Sequence, residues 1–290
     1  MRFGILSPVV IRQPGLSSPW EETAGPEQLR RIAETADRLG YHHLTCSEHV
    51  AVPTDAARVR GGTYWDPLAT LGFLAGLTRR IRLATNVLVL GYHHPLAVAK
   101  SYGTLDRLSG GRVVLGVGVG TLEEEFELLG APFADRGRRA DDALRALRAA
   151  WATRTPAYAG TYYRFHDLVV DPHGVQPHLP IWVGGRTARS LRRACRFGDG
   201  WVPFGLPFAR IAELLRAAEP PPGFEVVLQP PALDPVDDPA STRVHVERAL
   251  DAGATIINAR FVQHSVDQLL DQMAALPELF PEAGWTPATE

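Results

Sequence analysis

Ser47, Glu48 and His49 follow the apolar run HLTC and place an acid beside an imidazole at the end of a strand. An imidazole takes or gives a proton near neutral pH, and a neighbouring carboxylate can set its charge or tautomer. The stretch could be a catalytic acid/base pair, part of a metal site, or an ordinary solvated strand end. Metal ligation needs three or four converging donors, two of them often at a short fixed spacing. The other histidine candidates are the adjacent pairs His42–His43 and His93–His94. Neighbours on a strand point to opposite faces, so neither pair can chelate, and no metal is expected.

Two glycine-bearing stretches carry further chemistry. LGVGVG (115–120) puts Gly116, Gly118 and Gly120 on one face of a strand, where a flat ring or another backbone can approach closely. Steric relief in a crowded interior explains the same spacing. The dinucleotide fingerprint G-x-G-x-x-G is not met, because the sixth position is Thr121 or Glu123. In WVGGRTARSLRR (182–193) a strand ends in Gly184 and Gly185 and a helix starts at once, with Thr187 in its opening turn. Free N–H groups and the helix dipole favour an anion there, and the glycines let a phosphate reach the backbone. A plain tight turn with exposed arginines is the alternative.

These positions need strands to carry them. Strand patterns run over RFGILS (2–7), HLTCS (43–47), RIRLATNVLVL (80–90), RVVLGVGVG (112–120), LPIWVGG (179–185), DGWVPF (199–204), FEVVLQP (224–230) and ATIINARF (254–261). Helical spacing follows each, as in PEQLRRIAETADRLG (26–40), with Leu29, Ile32, Ala33, Ala36 and Leu39 on one face. Residues 49–64 read as a long loop, and YAGTYYRFHDLVV (158–170) as a hairpin inserted between strands four and five. Eight strand–helix units predict a closed (β/α)8 barrel, a fold of about 250 residues, over one domain spanning 1–290. An open doubly wound sheet is the runner-up. In a barrel the active site lies at the C-terminal strand ends, which is where the candidate residues fall.

Composition narrows the partners. A net charge of −2 offers no basic field for nucleic acid. No apolar run approaches the ~18 residues of a membrane span. The start lacks a signal-peptide pattern, and two cysteines, Cys46 and Cys195, make no disulfide framework. The expectation is a cytoplasmic protein.

SEH at the end of strand two, LATNVLVLGYHHPLAVAKSYGTLDRLSGGRVVLGVGVG, and PIWVGGRTARSLRRACRFGDGWVP together resemble the luciferase-like flavin and deazaflavin oxidoreductases. The nearest resemblance is to the bacterial branch that uses coenzyme F420. It covers roughly residues 1 to 205. The resemblance implies a TIM barrel, commonly dimeric, with a ring cofactor in its mouth. It implies a cis peptide at Asn86–Val87 supporting the ring, backbone passing the ring at Gly118 and Gly120, a phosphate turn at Gly184, Gly185 and Thr187, and His49 as the active-site histidine. Glu48 would set the tautomer or charge of His49. Sugar-phosphate dehydrogenases of the superfamily carry an acid where this chain has Thr121, which argues against a sugar phosphate. The expected activity is hydride transfer between F420 and a small organic substrate; the alternative is an FMN-dependent monooxygenase fed by a separate reductase. A metal-dependent hydrolase and a non-catalytic flavin binder are further readings. Trp20, Tyr64, Trp65, Tyr92, Phe204 and Phe208 suggest a mostly apolar substrate.

Overall fold

The structure is a computed structural model and describes residues 1–287, so residues 288–290 of the expected 1–290 span lie outside it. Eight parallel strands form the frame: β1 (Arg2–Ile5), β2 (His43–Cys46), β3 (Arg82–Thr85), β4 (Val113–Gly118), β5 (Ile181–Gly184), β6 (Gly200–Val202), β7 (Glu225–Leu228) and β8 (Ile256–Ala259). Each pairs in parallel with the next, and β8 closes on β1 with Arg2 opposite Ile256. The sheet is a closed barrel, as the alternating pattern predicts.

Eight helices cover the outside: α1 (Pro26–Leu39), α2 (Pro67–Leu77), α3 (Pro95–Ser109), α4 (Arg136–Ala150), α5 (Ala188–Phe197), α6 (Phe208–Ala218), α7 (Pro239–Asp251) and α8 (Val266–Leu279). Four begin at a proline, where the missing N–H costs no hydrogen bond. α1 buries Leu29, Ile32, Ala33 and Ala36 and stops at Gly40, whose φ of 83° suits glycine. No helix among the described residues is long and apolar enough to cross a membrane.

The outer layer of the core is the strand faces that turn to the helices. The inner layer fills the barrel with Ala84, Val114, Trp182, Val202, Val227 and Ile256, and Val87 packs against it. Near the N-terminal strand ends the interior turns polar. Arg2 donates to Glu225 at 2.6 Å, and the Trp182 indole donates to the same carboxylate at 2.6 Å.

The structure departs from the sequence reading in two places. β3 ends at Thr85, far short of residue 90; a cis Asn86–Val87 peptide follows, and the chain resumes pairing with β4 only at Leu88–Val89. The stretch 49–64 is not a plain loop. It holds a helix, Thr54–Arg60, and a strand, Thr63–Tyr64, that pairs with Ile11–Arg12. Between β4 and β5, Tyr158–Ala159 and Arg164–Phe165 pair antiparallel.

Candidate active site

The mouth is built from the C-terminal ends of β2, β3, β4 and β5, which are neighbours in the barrel. Val87 is the hub of this arc. Its carbonyl accepts from the Glu48 N–H at 3.3 Å. A Cβ at Gly118 would lie 2.7 Å from one Val87 methyl, and a Cβ at Gly184 would lie 3.0 Å from the other. Neither glycine could be larger without displacing Val87. Gly116 is tighter still: a Cβ there would meet the Thr85 carbonyl oxygen at 2.0 Å. The glycine face of β4 is therefore covered by the end of β3, the steric-relief alternative, and the surface left at the mouth is the half-buried Asn86–Val87 segment. Gly120 lies beyond β4 with a φ of 80°, against Phe126.

His49 follows Glu48 beyond the end of β2 and is half-buried. Its Nδ1 lies 2.7 Å from Glu125 Oε2. Glu125 is buried, on the short helix Glu123–Leu128. The Tyr92 hydroxyl donates to the same oxygen at 2.7 Å. The N–H groups of Val50 and Ala51 donate to the other oxygen at 2.5 and 3.2 Å. Burial pushes the Glu125 carboxyl up, but the Tyr92 hydroxyl, the His49 imidazole and a backbone donor outweigh it and hold it below the ordinary carboxylate range. An ionised Glu125 can only accept, so His49 carries a proton on Nδ1 and presents Nε2 as the exchangeable atom. The Tyr64 ring packs edge-on against the imidazole, with centroids 4.5 Å apart.

Glu48 does not touch the His49 ring. It is buried, receives the Val89 N–H at 2.6 Å and takes the His93 Nε2–H at 2.7 Å. That hydrogen bond raises the His93 imidazole above its ordinary value, burial opposing. The reason is the alternation of extended backbone, which sends consecutive side chains apart. Glu48 thus anchors the end of β3, and the carboxylate that orients His49 is Glu125. A sequence signal for Glu125 existed. Leu122, Phe126 and Leu129 mark an apolar helical face, and Glu125 lies on it at i+3 from Leu122, while Glu123, Glu124 and Glu127 fall outside. A charged residue on an apolar face calls for partners.

The turn after β5 has the expected shape. Gly185 has a φ of 136°, and a Cβ there would meet Ser190 at 2.6 Å. Thr187 caps α5: its hydroxyl accepts the Ser190 N–H at 3.2 Å, and its own N–H donates to Ser190 Oγ at 3.2 Å. The first-turn N–H groups of Ala188 and Arg189 have no intrahelical acceptor. Val87 packs against Gly184 at the end of β5, so this half-buried segment and the helix N-terminus after the Gly184–Gly185 turn lie on the same side of the mouth, an arrangement compatible with a flat ring bearing a phosphate. Among the described residues, no group of three or more His, Cys, Asp or Glu side chains is placed to hold a metal ion.

A cavity of about 120 Å³ opens near the ends of β1 and β8. Ile11, which pairs with Tyr64, lines it with Ile5, Leu16 and Phe261, and Ser7, Gln13, Glu21, Gln229, Arg260 and Gln263 add polar groups. Tyr92 is engaged with Glu125, and Phe204 is exposed, with the Arg186 guanidinium 5.9 Å from its ring centre.

The chain is similar to proteins of known and unknown activity. An uncharacterized protein of Mycobacterium tuberculosis is 34% identical over 190 residues, 61% of this chain and 66% of its own. The match thus spans just under two thirds of that relative's length. The 4-hydroxyprotoasukamycin monooxygenase of Streptomyces nodosus is 31% identical over 272 residues, covering 90% of this chain and 63% of that protein. An F420-dependent glucose-6-phosphate dehydrogenase of Intrasporangium calvum is 29% identical over 192 residues, 63% of this chain and 56% of the enzyme. The crystal structure of the monooxygenase RslO1 from Streptomyces bottropensis superposes with a TM-score of 0.74 at 24% identity, covering 97% and 99% of the two chains. The family model described as luciferase-like monooxygenase matches residues 1–285. With the barrel and its mouth, that match shows the chain to be a member of the luciferase-like monooxygenase family.

Proposed function

We propose that this chain is an oxidoreductase that moves hydride between the deazaflavin coenzyme F420 and a small, mostly apolar organic molecule, with His49 handling the proton. The carrying observation is the His49–Glu125 pair at the mouth, 2.7 Å apart. Hydride exchange with a carbonyl or alcohol needs a proton moved at each turnover, and a positioned imidazole does that. When bound, the deazaflavin supplies a two-electron hydride carrier that reacts poorly with oxygen.

The chain's own residues do the rest. Val87, held between Gly118 and Gly184, offers an apolar platform to the ring. Gly185 and the first turn of α5 receive the phosphate, with Thr187 keeping that turn in shape. Glu125 fixes the tautomer of His49, so Nε2 gives or takes the proton. Tyr92 and two backbone N–H groups hold Glu125 in turn. The cavity at the ends of β1 and β8 offers Ile5, Ile11, Leu16 and Phe261 to apolar parts of a substrate and Gln13, Arg260 and Gln263 to polar ones.

A second reading, an FMN-dependent monooxygenase supplied by a separate reductase, is favoured by the 90% coverage of this chain in the match to 4-hydroxyprotoasukamycin monooxygenase. Titration of the pure protein with F420 and FMN separates the two. The expected result is deazaflavin affinity at least ten times tighter. Tighter FMN binding, with oxygen uptake once reduced, would establish the second reading instead.

A further inference from the structure

The cavity of about 120 Å³ is walled by residues that directly follow three strands: Gln229 after β7, Arg260 and Phe261 after β8, and Leu6 and Ser7 after β1. These are C-terminal strand ends, the side of the barrel that carries the mouth. β7, β8 and β1 are neighbours, and β1 pairs with β2, so the cavity adjoins the arc from β2 to β5. Ile11 of its wall pairs with Tyr64, whose ring packs on the His49 imidazole. One strand pairing and one ring contact thus join the cavity wall to the imidazole.

Two polar atoms of this lining are buried without a partner: Arg260 Nε and Gln263 Oε1. Gln263 is only 7% exposed, and Glu21 fixes its orientation. Both Glu21 oxygens already accept backbone N–H groups, from Val9 at 3.0 Å and Ser18 at 2.8 Å, so Gln263 turns its Nε2 to that carboxylate, at 3.1 Å. The amide oxygen is left over as an acceptor. On Arg260, Nη1 donates to the Leu16 carbonyl at 3.1 Å, and Nε is left over as a donor. Buried polar groups without partners cost stability and are rare in folded proteins. The volume is well above the ~10–15 Å³ that admits one water, so a guest can supply both partners.

Charge and hydrogen bonding select the guest. Glu21 and Arg260 are the charged side chains of the lining, and they balance. A carboxylate would satisfy Arg260 but meet the Gln263 amide oxygen and a buried acid. An ammonium would meet the guanidinium. A neutral guest leaves the balance intact, and burying a neutral group costs far less than burying a charge.

We propose that Arg260 and Gln263 select substrates that carry, away from the reacting carbon, a neutral group able both to accept and to donate a hydrogen bond: a hydroxyl or a carboxamide. Its oxygen accepts from Arg260 Nε, and its O–H or N–H donates to Gln263 Oε1. Ile5, Ile11, Leu16 and Phe261 receive the apolar frame that carries it. The inference deepens the oxidoreductase reading above and rests on it for the reacting end of the substrate.

The test is calorimetric titration of the full chain, with and without F420. The probes are cyclohexanone and its derivatives bearing a hydroxyl, a carboxamide or a carboxylate on the ring carbon opposite the ketone. The hydroxyl or the carboxamide probe is expected to bind at least tenfold tighter than cyclohexanone, because a site built around a hydrogen-bonding group rejects the analogue that lacks it. The carboxylate should bind no tighter than cyclohexanone. Arg260→Met and Gln263→Met should each abolish the preference, with circular dichroism reporting that the variants are folded. Equal affinity for all four probes overturns the proposal, since ordered water would then satisfy the two atoms. A carboxylate that binds tightest, or a preference that survives in both variants, overturns it as well. If F420 binds and no probe does, the proposal falls and the deazaflavin reading stands. If the preference is present and F420 fails to bind, the selection by Arg260 and Gln263 stands and the deazaflavin reading falls.

Discussion

At the scale of single residues, the mouth depends on a buried carboxylate that accepts four hydrogen bonds. Glu125 takes donors from His49, Tyr92, Val50 and Ala51. His49→Ala removes the imidazole proposed to carry the proton and leaves Val87 in place. Turnover is expected to fall about 10²- to 10⁴-fold, with cofactor affinity within a few-fold, measured by steady-state kinetics and equilibrium titration. Unchanged turnover would remove His49 from the chemistry. Glu125→Gln keeps the shape, but an amide cannot accept from all four donors. It is expected to destabilise the protein by about 1.5–3 kcal/mol and to lower turnover, because the imidazole loses the carboxylate that fixes its tautomer. Tyr92→Phe removes one donor and should lower turnover less. Turnover equal to that of the parent in both variants would assign Glu125 a structural role only.

At the scale of elements, the ends of β3, β4 and β5 are locked by close approach. The Val87 side chain occupies the space that side chains at Gly118 and Gly184 would need. Gly118→Ala is therefore expected to cost about 1–3 kcal/mol by overpacking, read as a lower urea midpoint. Val87→Ala should recover part of that loss in the double variant, since it removes the methyl group that clashes. The two changes would then be non-additive by at least about 0.5 kcal/mol. Strict additivity would mean that Gly118 is constrained by something other than Val87. Gly116→Ala has no such rescue, because its clash is with the Thr85 backbone carbonyl.

At the scale of the whole molecule, the closed barrel encloses a chain of polar groups near its N-terminal end. An Arg2 N–H donates to His42 Nε2 at 3.2 Å, so the His42 proton sits on Nδ1 and is donated to His43 Nδ1 at 3.0 Å. His43 then carries its proton on Nε2. Both rings are held neutral. Burial, the other histidine and Arg2 push His42 down to about 2. Burial, opposed by Asn258 and helped by Arg2, pushes His43 down to about 3. In the unfolded chain both titrate near the ordinary ~6.5. Below that pH the unfolded state binds more protons, so stability is full above it and falls as pH drops. The slope is about 1.4 kcal/mol per pH unit for each ring. Asp37 and Asp199, whose backbone and side-chain hydrogen bonds overcome burial and lower their carboxyls, act in the same direction only at more acidic pH. Urea midpoints at pH 7.5 and 5.5 should differ, with the lower at 5.5. Equal midpoints would mean that the histidines are charged in the folded state or that the interior opens.

The sequence by itself determined the barrel, the strand ends that face its mouth, and the places of His49 and the Gly184–Gly185 turn. Those features are written in local patterns: alternation, helical spacing, and prolines and glycines at element ends. Tertiary structure alone decided which acid serves which base. Glu48 is next to His49 in the chain, yet the pleat sends it to His93, while Glu125, 76 positions away, closes on the imidazole from another strand–helix connection. The same holds for the glycines of β4, which can be seen in sequence but whose neighbour, Val87, becomes visible only when β3 is set beside them. Pairings between distant segments depend on barrel closure, and closure leaves no mark within any short stretch of residues.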